Sequence, residues 1–190
     1  MKIKYLGTAA AEGWPGIFCP CLACKKARRN GGKDIRTRSS ALINDSLMVD
    51  FPPDTYYHVI NYGIELSELK YLVITHSHED HFYPTDLTLR RSIFAHLDSD
   101  NILEVYGNNA VNAIMKDLLD KPYDLNKFVK SHYVPPFEPF KAGDINVTPL
   151  LALHNRQEDC YIYIFEDRDG KRMLYGNDTG IFPEETWEYI

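Results

Sequence analysis

The twelve residues from Tyr71 to Phe82, YLVITHSHEDHF, join an apolar run to three histidines and two acids. Tyr71–Ile74 has the unbroken aromatic and β-branched character of a buried strand. His76, His78, Glu79, Asp80 and His81 stand at its end. Zinc-type ions take imidazole nitrogen and carboxylate oxygen in roughly tetrahedral sets. On an extended chain His76 and His78, two apart, point the same way. Asp80 and His81 lie past the strand end, where the chain can turn back, so the loop offers two ligands to one ion and two to a neighbour. A solvated polar turn is the alternative. The metal reading, unlike that one, requires further ligands elsewhere in the chain.

Two later segments meet the requirement. His154 follows the strand-like VTPLLAL, and Asp178 follows RMLYGN just before Thr179-Gly180. Ligands at strand ends ride on rigid elements, which is how sites are positioned. His58, His96 and His132 have no such context and read as surface or core residues.

Strands are expected at Lys2–Leu6, at Ser40–Ile43 and Leu47–Phe51 around an Asn44-Asp45 turn, and at Ile102–Tyr106. Helices are expected over Leu22–Asn30, closed by Gly31, over Thr55–Tyr62, and over Asn109–Leu119. Leu87, Leu89, Ile93, Phe94 and Leu97 recur at helical spacing and predict a further helix over Thr85–Leu97. After Pro122 the pattern turns to strands: Val147–Leu153, Tyr161–Glu166 and Lys171–Tyr175, the last two joined by Asp169-Gly170. Pro183 opens a short helix. Strands, then interleaved helices, then strands again suggest an α/β chain with two sheets in contact and helices outside, an αββα sandwich forming one domain over residues 1–190.

The net charge of −6 argues against a general nucleic-acid platform. Apolar runs fall far short of the ~20 residues that span a bilayer, and Met1-Lys2 leads straight into a strand, so the expected location is the cytoplasm. In that reducing compartment clustered thiols point to metal rather than disulfide. Cys19, Cys21 and Cys24 form a C-x-C-x-x-C on a turn entering a helix, a grip for one structural zinc with a fourth ligand from elsewhere. Three ordinary thiols are the plain alternative. A redox C-x-x-C lacks its usual βαβ surroundings. Cys160, in a strand, reads as a small core residue.

THSHEDH resembles the His-x-His-x-Asp-His signature of metallo-β-lactamase-fold hydrolases. His154 and the Asp178 of GNDTG match the next two ligand positions of that family in order, and LMVDF, ending in Asp50, is similar to its opening hairpin. The resemblance implies two divalent ions, zinc or manganese. His76, His78 and His154 would hold the first, Asp80 and His81 the second, and Asp178 would bridge them. A metal-bound hydroxide would be the nucleophile, with Asp80 and Asp178 as the catalytic acids beside it. Asp50 would orient a ligand imidazole, unless it is an ordinary turn residue. The family has a further His after the bridging Asp, and residues 179–190 hold none. The expectation is therefore a C-terminally truncated fragment of a longer protein.

A cysteine cluster ahead of this signature resembles the PhnP-like phosphodiesterases, which carry an extra structural zinc and cleave cyclic phosphodiesters of ribose phosphate. Gly7–Gly13 (GTAAAEG) and Ile35–Ile43 (IRTRSSALI) are also similar to that branch. The implied enzyme is a metal-dependent hydrolase, a phosphodiesterase on a small cyclic or nucleotide-like phosphodiester. Arg156, Arg36 and Arg38 are the candidates for gripping phosphate oxygens. A lactone or thioester hydrolase on the same core is the alternative, as is a metal-binding module without activity. The expected partner is a small molecule, with no membrane and no nucleic acid. The pattern does not require a homodimer through exposed Tyr and Trp.

Overall fold

Period-two alternation along the strands sorts the apolar side chains onto two faces, and that sorting builds the layers. The computed structural model describes Met1–Ile190. In chain order the elements are β1 (Ile3–Gly7), α1 (Leu22–Asn30), β2 (Ser40–Ile43), β3 (Leu47–Val49), α2 (Thr55–Tyr62), β4 (Tyr71–Val73), β5 (Leu103–Gly107), α3 (Asn109–Leu119), β6 (Val129–Tyr133), β7 (Phe140–Ala142), β8 (Ile145–Ala152), β9 (Cys160–Glu166), β10 (Arg172–Tyr175) and α4 (Glu184–Trp187). One sheet runs β1-β2-β3-β4-β5-β6 and the other β10-β9-β8-β7. The first sheet is antiparallel from β1 to β3 and parallel from β3 to β6. The second is antiparallel throughout.

On one face of the first sheet, Leu42, Met48, Leu72 and Val105 pack with Val111, Met115 and Leu118 of α3. On the other, Ala41, Ile43, Leu47, Val49 and Val73 meet Val147, Tyr161, Tyr163 and Phe165 of the second sheet. Each fully buried Val, Leu or Ile contributes roughly 1.5–3 kcal/mol, so register is strongly specified here: slipping β3 by one residue would exchange the two faces. A smaller cluster of Leu150, Ile162 and Ile164, with Phe182 against it, covers the outer face of the second sheet. The architecture is the αββα sandwich. The β2–β3 turn has Asn44 and Asp45 at φ 48° and 60°, the left-handed backbone that its tight hydrogen bond from Ser46 N–H to the Ile43 carbonyl (3.2 Å) requires. No helix is long and apolar enough to cross a membrane.

Two departures from expectation stand out. The Thr85–Leu97 helix is only a 3-10 segment over Pro84–Arg90. Of its apolar stripe Leu87 alone is deeply buried, while Leu89, Ile93 and Phe94 face solvent, so the stripe has nothing to pack against. The chain turns extended at Arg91 (ψ 148°), and the Arg90 guanidinium donates to the Asn101 carbonyl (3.1 Å). β6 and β7 are additional strands. In β6 only Val129 is deeply buried, and polar side chains fill most of the rest, as suits an edge strand held on one side by β5. The α3 entry depends on Gly107: a Cβ there would lie 2.6 Å from a Val111 methyl. Its absence lets the helix start at once, with Asn108 Oδ1 accepting from Val111 N (2.9 Å).

Candidate metal centre

The strands β3, β4, β8 and β10 end at one edge of the sandwich, and Asp50, His76, His154 and Asp178 follow them within a few residues. Tyr161 N donates to the Thr75 carbonyl (2.8 Å), which ties the start of β9 to the end of β4 and brings the two sheets' loops together. Both Asp50 and Asp178 have left-handed backbone, at φ 60° and 47°. Strained backbone of this kind concentrates at functional positions, and Asp is among the residues that tolerate it best.

His76 Nε2 and His78 Nδ1 stand 3.0 Å apart, and His154 Nε2 is 3.3 Å from the same His78 nitrogen. A neutral imidazole nitrogen offers one lone pair or one N–H. Protons alone therefore cannot pair two facing nitrogens with the single His78 Nδ1. A central cation satisfies all three, and the separations match the ~3.3 Å edge of a tetrahedron with metal–nitrogen bonds of about 2.0–2.1 Å. His81 Nε2 lies 2.9 Å from Asp178 Oδ2 and 3.5 Å from Asp80 Oδ2, and Asp178 Oδ2 is 3.9 Å from His154 Nε2. Two ligand groups result, His76–His78–His154 and His76–His81–Asp178, each with its donor atoms within 4.8 Å of one another. They share His76. Asp178 faces both His81 and His154, and Asp80 stands at the edge of the second group. The donor set fits divalent metal ions.

Burial, and the crowding of His81, His78 and His154, lower the pKa of His76 to about 3, so its imidazole is neutral, the form that ligates. His81 goes the other way. Burial opposes its charged form, but the Asp178 and Asp50 carboxylates outweigh burial and raise its pKa to about 10. The pairing with His81 also holds Asp178 below the usual carboxylate range. Behind the ligands, fully buried Asp50 meets His81 Nδ1 at 2.7 Å and accepts from Thr75 N (2.8 Å) and Thr75 Oγ1 (2.9 Å). Burial raises the Asp50 carboxyl, against the pull of His81 and Thr75. Thr75 Oγ1 is also 3.0 Å from His76 Nδ1. Nothing but its place between the strand and His76 marked Thr75 in the sequence.

The three clustered cysteines converge separately, with their sulfurs within 4.8 Å of one another. Cys21 is the N-cap of α1, and its Sγ accepts from Cys24 N (3.4 Å). That backbone N–H is the main reason the Cys21 thiol is lowered to about 7, whereas burial raises Cys24. Arg28 braces the turn by donating to the Cys19 and Gly16 carbonyls (2.9 and 2.7 Å). A tetrahedral zinc with bonds of about 2.3 Å accommodates this trio as three of its four ligands. Cys160 is buried in β9.

The arginines fare unequally. Arg38 is paired with Asp54 (3.1 Å) and bonded to the Ala11 carbonyl (2.9 Å), so it is committed to structure. Arg36 is exposed, and its backbone pairs with Trp14. Arg156 is exposed and lines a cleft with Asn109, Gln157 and Glu158 beside the α3 start.

A family model described as a β-lactamase superfamily domain matches residues 55–190, and the chain belongs to that family. Its fold is similar to that of Zn²⁺-bound PqqB from Methylobacterium extorquens, with TM-score 0.76 and 19% identity, covering 99% of this chain and 69% of that one. It is similar to a diphosphatase of the PhnP family, with TM-score 0.69 and 22% identity, covering 86% and 62%. Human short-form tRNase Z follows, with TM-score 0.66 and 15% identity, covering 98% and 72%. At these identities the likeness is one of fold. The chain spans about two thirds of the length of these structures. No curated protein sequence matches it.

Proposed function

We propose that this chain carries the metal core of a metal-dependent hydrolase, a phosphodiesterase acting on a small cyclic or nucleotide-like phosphodiester. The observation that carries the reading is the overlap of the two ligand groups at His76, with Asp178 facing both His81 and His154. Two ions held there would supply Lewis-acid polarisation of the substrate and activation of a water. His76, His78 and His154 bind on one side. Asp80, His81 and Asp178 bind on the other. Asp50 keeps the His81 Nδ1 proton in place and so leaves Nε2 facing the centre. The carboxylates of Asp80 and Asp178, beside His81, would accept the proton of the water in this reading. The His154 edge is partly open to solvent, which leaves room for a substrate.

Two features favour phosphate over carbonyl substrates. One of the similar folds is a diphosphatase of the PhnP family. The cysteine trio, read as the ligands of a structural zinc, is the feature by which the sequence resembles that branch. Arg156, two residues past His154 in sequence and lining the cleft beside the α3 start, is the arginine we assign to the phosphate oxygens. The test is hydrolysis by the Zn²⁺- or Mn²⁺-loaded chain of bis-p-nitrophenyl phosphate, a cyclic nucleotide, a lactone and a thioester. Turnover of the phosphodiesters, lost in His76→Ala, is expected. Turnover confined to the lactone or thioester overturns the substrate class. Metal binding without hydrolysis of any of the four leaves a binding module in place of an enzyme.

A further inference from the structure

The loop between β8 and β9 carries His154 and, four residues on, the half-buried Glu158. No cation pairs with this carboxylate; its partners are neutral donors, three of them on the segments that carry the histidine ligands and the fourth at the start of α3. Glu158 Oε2 accepts from Ser77 N (3.0 Å) and from Asn108 Nδ2 (2.8 Å). Its Oε1 accepts from Ser77 Oγ (2.8 Å) and from Asn155 Nδ2 (3.3 Å). Four donors fill the approximately four acceptor positions a carboxylate has.

Two of the partner residues adjoin the histidines and the third anchors the network to α3. Ser77 lies between His76 and His78. Asn155 follows His154, and its Nδ2 is also 3.3 Å from His78 Nε2. Asn108 is the buried N-cap of α3. Its Nδ2 donates to the Asp159 carbonyl (2.7 Å) as well, so the network is anchored to a helix packed in the core. One carboxylate therefore spans the β4 loop, the β8–β9 loop and the start of α3. The distance it governs is that between His78 Nδ1 and His154 Nε2, which come from different sheets and stand 3.3 Å apart.

We propose that Glu158 is a positioning residue that sets the separation of the His76–His78 loop from the His154 loop, and with it the affinity of the first metal position. The proposal rests on the reading of the histidines as a metal centre. Removing the carboxylate leaves Ser77 N, Asn108 Nδ2 and Asn155 Nδ2 without their acceptor and lets the two loops part. Glutamine keeps the shape and one acceptor oxygen. Ser77 Oγ can reverse and accept from the new amide, but Asn155 Nδ2 then faces a donor. The order of damage is therefore Ala above Gln.

The experiment is a Co²⁺ and Zn²⁺ titration of the full chain against a competing chelator, with the Co²⁺ absorption spectrum, in wild type, Glu158→Ala, Glu158→Gln and Ser77→Ala. Affinity of the histidine position is expected to fall about 10–100-fold in Glu158→Ala, the range seen when outer partners of metal ligands are removed. A smaller fall is expected in the other two, with an altered histidine-site Co²⁺ spectrum and unchanged binding at the cysteine trio. That trio is the internal reference, because general destabilisation weakens both sites together. Histidine-site affinity and spectrum unchanged in Glu158→Ala overturn the proposal; if that variant does not fold, unchanged values in Glu158→Gln and Ser77→Ala do so. Equal weakening of both sites also overturns it. A metal content that His76→Ala leaves unchanged overturns the metal-centre reading itself, and this proposal with it.

Discussion

Four imidazoles meet at one edge of the sandwich, while a fifth, His58 in α2, is as buried as His76 and His81 and meets none of the four. His58, His76 and His81 are all at most 1% exposed. Their titration nevertheless diverges. His81, between Asp50 and Asp178, is held at about 10, and His58, opposed only weakly by Asp54, is pushed to about 4 by burial. Desolvation alone lowers a histidine. Facing acceptors decide whether a buried imidazole becomes a site, and at the strand ends those acceptors come from segments more than twenty residues apart in sequence.

The largest effect is expected at His76, which belongs to both ligand groups. In His76→Ala, elemental analysis should show the histidine-centre ions lost, and phosphodiester hydrolysis should drop to background. Retention of both would mean that the four rings converge for packing alone. Cys24→Ser comes next, because Cys24 is the buried member of the trio. The cysteine-site ion should be lost while the histidine-site ions remain, with a lower melting midpoint. Each kcal/mol lost lowers the midpoint by about 2–4 °C in a chain of this size. Loss of metal from both sites would show that the two are not independent.

Asp50→Asn probes the centre without removing a ligand. The carboxamide can still accept from Thr75 N, but its NH₂ would face His81 Nδ1. That nitrogen must then accept, which moves the ring proton to Nε2, the side on which Asp178 and Asp80 gather. The wrong tautomer cannot ligate, so metal affinity at the second position should fall about 10–100-fold with little change in fold. Equal affinity in the variant would make Asp50 a turn residue only.

Much of this contrast is legible in the sequence. Three histidines and two acids in the six residues His76–His81 mark the centre, and His58, with no such neighbours, reads as a packing residue. The hairpin around Asn44-Asp45 and the α3 helix follow from local rules, because turn chemistry and a 3.6-residue stripe suffice to specify them. Thr85–Leu97 misleads because periodicity records what a helix could bury, not whether a partner is there to bury it. β6 carries too few apolar residues to announce itself, since a strand on the sheet edge buries little. Glu158 has no local signature at all: its role arises from Ser77 and Asn108, eighty-one and fifty residues away.

The remaining prediction concerns His58 itself, away from the metal centre. Thr37 Oγ1 donates to the Leu6 carbonyl (3.1 Å) and lies 2.7 Å from His58 Nε2, so the histidine donates there and Nδ1 is left buried without a partner. Protonating Nδ1 would place an unpaired N–H and a charge in the interior. The folded pKa of about 4 lies below the unfolded value of 6.5. Between these values the unfolded chain binds more protons, so stability is complete above pH 6.5 and is lost as the pH falls toward 4. At 1.36 kcal/mol per unit the loss reaches at most about 3 kcal/mol. His58→Gln keeps a donor for Thr37 and cannot titrate. Urea unfolding from pH 7 to 4 should therefore show a shallower fall in the variant than in wild type. Equally steep profiles would assign the acid sensitivity to the metal-centre histidines, and the contrast between the lone imidazole and the cluster would lose its energetic half.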